Sequence, residues 1–140
     1  VQVLPVKGHE KQGVLRDLMI GKATVALFDA AAAEQLSGWI EQYCRLYHIP
    51  AVLKCFLSSA AFSAYTGWLD IAYLCCGGNA GFYLARQLRE RSPDCKIILV
   101  DDTQEFAVHG MRLHCTDFIL RPVEFRHIVR SMDLALRGWT

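Results

Sequence analysis

Between Thr24 and Leu120 five short apolar runs alternate with stretches whose apolar residues recur at helical spacing. The runs are TVALF (24–28), PAVLKCFL (50–57), LDIAYLC (69–75), CKIILVD (95–101) and CTDFIL (115–120). Strands that are each followed by a helix and a short loop cannot close as hairpins. They imply a parallel sheet with helices on both faces, a doubly wound α/β architecture. The middle run is almost wholly apolar, as a strand covered on both faces must be.

The helical stretches fit this frame. In AAAEQLSGWIEQYCRLYH (31–48), Ala32, Leu36, Trp39, Ile40, Tyr43 and Tyr47 form one stripe. SSAAFSAYTG (58–67) reads as a short helix capped by Ser58 or Ser59 and ended by Gly67. GFYLARQLRERS (81–92) reads as a helix opening at Gly81, and TQEFAVHGMRL (103–113) as a weak one interrupted by Gly110. In the last helix, from Val123, residues Phe125, Ile128, Val129, Met132 and Leu136 face inward, with Arg126, Arg130 and Arg137 outward. Residues 1–22 form an extension in which EKQGVLRDLMI can make a short helix weakened by Gly13; residues 23–140 form one domain.

A net charge of +1 supplies no field to draw nucleic acid or an acidic membrane. No apolar run is long enough to span a bilayer and residues 1–13 lack a leader's apolar core, so a cytoplasmic protein is expected. Cys44, Cys55, Cys75, Cys76, Cys95 and Cys115 lie mostly inside apolar segments, as reduced, buried thiols do. No Cys-x-x-Cys pair occurs and the five histidines are scattered, so no metal site is expected.

In parallel sheets, chemistry gathers where strands end at their C-terminal edge. That edge holds Asp29, the CCGGNAG loop (75–81), Asp101, Asp102 and the Arg121-Pro122 pair. The loop has the shape of a phosphate site without its residues. A P-loop needs a Lys after its glycines, the dinucleotide fingerprint needs a different glycine spacing, and a cysteine phosphatase needs an Arg six residues past its nucleophile. Six past Cys75 is Gly81, and six past Cys76 is Phe82. No catalytic residue is assigned.

The order of elements, with VALFDAAAAEQL, GFYLARQLRERSPDCKIILV and above all TDFILRPVEFRHI, resembles the receiver domain of two-component response regulators, most closely the LytTR-type subclass. That resemblance implies a flavodoxin-like fold with a five-stranded parallel sheet. It also implies a phosphorelay pocket of paired acids, a phospho-accepting Asp, a hydroxyl and a Lys, whose carboxylates hold Mg²⁺ and whose Lys and metal neutralise the phosphoryl group. Here the first acid matches Asp29, but its partner is Ala30. Cys75 takes the acceptor position, because DIAYLC overlays the family's Asp-Leu-Ile-Phe-Leu-Asp strand, with a shorter loop after it. Asp101 replaces the hydroxyl, Arg121 replaces the Lys, Pro122 follows as expected, and Phe118 keeps the switch aromatic. A rival alignment makes Asp70 the acceptor, but it would put IAYLCC in a solvated loop and forgo a buried strand.

The resemblance thus implies a degenerate receiver that binds no Mg²⁺, is no enzyme, and controls a transcription-regulating output domain through a protein partner or homodimer. The expected face, made by the fourth helix, fifth strand and fifth helix of the repeat, carries Phe106, Met111, Arg126, His127, Arg130 and Asp133. No direct nucleic-acid contact is expected. The alternative is a small-molecule or redox sensor using the strand-end pocket and Cys75 or Cys76. Arg121, always charged and forked, is expected to pair with Asp29 or Asp101. Thiol counting on anaerobically purified, denatured protein is expected to find all six cysteines free; a loss of two, with a lower melting temperature on reduction, would contradict this.

Overall fold

The computed structural model describes residues 2–4, 23–29 and 33–137, and in it the apolar runs assemble into one sheet. The strands are β1 (Gln2–Leu4), β2 (Ala23–Phe28), β3 (Ala51–Phe56), β4 (Ile71–Leu74), β5 (Lys96–Asp101) and β6 (Asp117–Leu120). The helices are α1 (Ala33–Leu46), α2 (Ser59–Ala64), α3 (Gly78–Arg91), α4 (Ala107–Arg112) and α5 (Phe125–Ala135). All pairings are parallel, in the order β1-β3-β2-β4-β5-β6. From β2 the chain steps outward to β3, returns past β2 to β4, and continues to β5 and β6. The direction of winding therefore reverses between β2 and β4. All five expected strands are present. β1 is an addition, because three residues inside a mixed stretch carry no readable period. The helix read in residues 10–20 lies outside the described residues.

Side chains alternate between two cores. Val25, Leu27, Ile71, Tyr73, Ile98 and Val100 face α1 and α5, meeting Leu36, Ile40, Tyr43, Ile128 and Met132. Ala26, Phe28, Ala72, Leu74, Ile97 and Leu99 face the other way, toward Phe62, Leu84, Ala85 and Leu88. β4 is buried along its whole length because both cores close on it. Of the residues read as the α1 stripe, Tyr47 is exposed and only stacks on Tyr43, while Ala32 lies outside the described residues. In α5 the buried row also includes Ser131 and Ala135. Ser131 is tolerated there because its hydroxyl donates to the Ile128 carbonyl and shares a 2.5 Å hydrogen bond with the Tyr73 hydroxyl.

Several helix boundaries differ from the sequence reading, each for a local reason. Ser58 caps α2 as expected, accepting from Ala61 N–H, but α2 ends before Tyr65 rather than at Gly67. Tyr65 leaves the helix to pack its ring on Phe56, and the Arg91 guanidinium takes the carbonyls of Phe62, Ser63 and Tyr65. α3 starts at Gly78, three residues before Gly81. α4 is shorter than its sequence segment, beginning only after Phe106.

β1 also changes the environment of β3, converting it from an edge strand to an interior one. Lys54, in register with Leu4 and Ala26, is 0% exposed. Its ammonium is the only buried side-chain nitrogen or oxygen among the described residues without a hydrogen-bond partner. Nζ lies 5.3 Å from the Tyr65 ring centroid, a contact worth roughly 0.5–2 kcal/mol, which only partly offsets burial of an unpaired ammonium. Burial pushes the Lys54 pKa below its ordinary value. The unfolded chain therefore holds this proton more tightly, so stability rises with pH between the lowered folded value and the ordinary lysine value. Lys54→Met is expected to stabilise the fold by about 1 kcal/mol or more near neutral pH, and to flatten that alkaline slope. Denaturant midpoints measured against pH check both.

Candidate functional site

Four strands deliver polar groups to one edge because each stops there. Asp29 follows β2, Cys75 follows β4, Asp101 ends β5 and Arg121 follows β6. Backbone bonds hold the ends level: Cys75 N–H donates to the Phe28 carbonyl, Asp29 N–H to Phe56, and Arg121 N–H to Asp101. The Arg121–Pro122 peptide is cis. Asp70 sits at the opposite end of β4, buried, accepting from Thr24 N–H and from the Trp68 indole, each at 2.8 Å. That placement excludes Asp70 from this edge.

Cys75 is 3% exposed. Burial pushes its thiol pKa strongly upward and the neighbouring Asp29 adds to this, while Arg121 pulls the other way without prevailing. Cys76 is exposed as a residue, yet desolvation of its sulfur also raises its pKa; backbone N–H groups of Cys76 and Gly77 oppose the shift, and Asp101 adds to it. Neither thiol is set up as a thiolate.

Arg121 departs from expectation. Its guanidinium donates to the Cys75 carbonyl and pairs with Asp102 at 3.3 Å, not with Asp29 or Asp101. Asp101 is already engaged: one carboxylate oxygen accepts Gly78 N–H at 2.8 Å, the other Asp102 N–H at 2.6 Å. Gly77 makes this possible. It has φ +67°, and a Cβ there would stand 2.5 Å from the Asp101 carboxylate. Sequence reasoning placed Asp102 at this edge but not as the partner of Arg121, and the Gly77-Gly78 pair was legible only as a turn. Ala30 lies outside the described residues. Among the described residues no three His, Cys, Asp or Glu side chains group as metal ligands, and no helix is long and apolar enough to cross a membrane.

Solved structures share this fold. The response regulator DrrB of Thermotoga maritima, an OmpR/PhoB homologue, superposes with a TM-score of 0.67 at 16% identity, covering 84% of this chain and 54% of that one. The fold is that of a response-regulator receiver domain. The response regulatory domain of protein mrkE from Klebsiella pneumoniae matches with a TM-score of 0.66 at 15% identity, over 83% of this chain and 97% of that one. An orphan response regulator of H. pylori matches with a TM-score of 0.64 at 18% identity, over 84% and 99%. This chain thus spans about half the length of DrrB. No family model matches the sequence, and no curated protein matches it.

On the receiver fold the expected interaction face is α4, β6 and α5. Met111 is 75% exposed, and Val108 and Leu120 join it as exposed apolar residues the sequence reading did not single out. Phe106 stacks on Phe82 and His109, and Phe118 packs against the second core. Arg126 pairs with Glu124, and Arg130 with Asp117. His127 is committed to the start of α5, its Nδ1 accepting Glu124 N–H. Asp133 accepts the Tyr43 hydroxyl at 2.6 Å, which ties it to α1.

The Arg121 side chain is 33% exposed and Asp102 74%, so their pair is worth little, while the charged bond to the Cys75 carbonyl counts for more. Arg121→Ala is expected to cost about 1 kcal/mol in chemical denaturation. A loss of about 3 kcal/mol or more would instead signify a buried ion pair.

Proposed function

We propose that residues 23–140 are a degenerate receiver: a cytoplasmic signalling module of the LytTR-like kind that has lost phospho-acceptor chemistry and acts by contact. The observation that carries this reading is Cys75, a buried neutral thiol at the end of the central strand, where the resemblance requires a carboxylate. Asp101 adds support, since its carboxylate is turned onto backbone N–H groups and is not offered to a cation. Mg²⁺ needs several oxygen ligands, and a thiol is a poor one. The exposed apolar set Val108, Met111 and Leu120 supports a protein partner or second copy at the α4–β6–α5 face, through which a transcription-regulating output domain is controlled. Residues 1–22 extend the domain, with β1 as an added strand. The redox form of the sensor alternative is weakened by both thiols of the strand-end loop having raised pKa values.

Incubation with acetyl phosphate and Mg²⁺ is expected to leave the intact mass and the amide spectrum unchanged. Stoichiometric, metal-dependent phosphorylation of Asp29, Asp70 or any other carboxylate would overturn the reading.

A further inference from the structure

α3 is fourteen residues long, yet has no acidic residue in its first turn and no side-chain cap from its own preceding residue, Gly77. Free N–H groups at a helix start favour an anion. Here β5 supplies it, because the Asp101 carboxylate accepts the N–H of Gly78, the first residue of α3. The second oxygen accepts Asp102 N–H, in the segment that leads to α4. One carboxylate, 8% exposed as a residue, therefore fastens two loops. No other residue at 77 could leave it there, since any Cβ would overlap the carboxylate oxygen. α4 is held against α3 at its other side by rings, with Phe82 of α3 5.1 Å from His109 and 6.5 Å from Phe106. Val108 and Met111 ride exposed on that same helix.

We propose that Asp101 is an internal latch: its carboxylate holds the start of α3 and the segment leading to α4 together, so that the apolar surface of α4 is presented in one fixed position without any added anion. This deepens, and rests on, the reading of that surface as the contact face.

The test is amide hydrogen exchange on the full chain, comparing the parent with Asp101→Ala and Asp101→Asn, and with the β4 amides as the internal reference. Gly78 and Asp102 are expected to exchange about tenfold faster or more in Asp101→Ala relative to β4. Residues 107–112 are expected to loosen with them. Asn keeps one acceptor oxygen but not the charge, so Asp101→Asn is expected to fall between, and it gives the same comparison if the Ala variant does not fold. Unchanged exchange at Gly78 overturns the latch. So does a rise spread evenly over all amides, or loosening at Gly78 that leaves α4 unmoved. The samples contain no phosphoryl donor and no metal, so this result is independent of the acetyl phosphate experiment: a domain that phosphorylates can still show the latch, and an inert one can lack it.

Discussion

A strand covered on both faces can offer chemistry only where it ends. β4 has α1 and α5 on one side and α2 and α3 on the other, and every one of its residues is buried. Even its single polar group, the Tyr73 hydroxyl, must find a partner inside, and Ser131 of α5 provides it. Burial and this hydrogen-bonded fit fix β4 relative to α5, and β4 in turn sets the height at which Cys75 leaves the sheet. The neighbouring ends are levelled against it by backbone hydrogen bonds. The height at which each strand ends at the site edge is thus a consequence of core packing.

This explains which parts were legible in the sequence. Strands are written in apolar periodicity, so LDIAYLC announced its own burial and its position in the middle of the sheet. The identity of the strand-end residues followed from where each run stops. Pairing at the edge was not legible, because it depends on the path of the loops. Arg121 follows its strand as expected, but Asp102, one residue beyond the end of β5, meets it in place of Asp101. The start of α3 was misplaced for a related reason. Gly77 and Gly78 look like a flexible turn, and only the position of a carboxylate from β5 reveals that Gly78 already belongs to the helix. β1 was invisible because three residues cannot display a period, and its consequence, the burial of Lys54, was invisible with it.

Charge balance accounts for why such an edge can be stable with the residues it has. Asp29 and Asp101 are both buried there, and among the described residues the Arg121 guanidinium reaches the loop after β4. A third buried carboxylate at position 75 would stand beside Asp29, and like charges in one desolvated site disfavour ionisation of both. A thiol avoids that conflict by remaining neutral, which burial and the adjacent Asp29 reinforce. Asp101 is placed differently, its carboxylate accepting from two backbone N–H donors. Arg121 is then left to fasten the Cys75 carbonyl and the exposed Asp102. In the folded chain Cys75, Asp101 and Arg121 are thus parts of one edge, in which Asp101 is met by backbone N–H groups and Arg121 by the Cys75 carbonyl and Asp102.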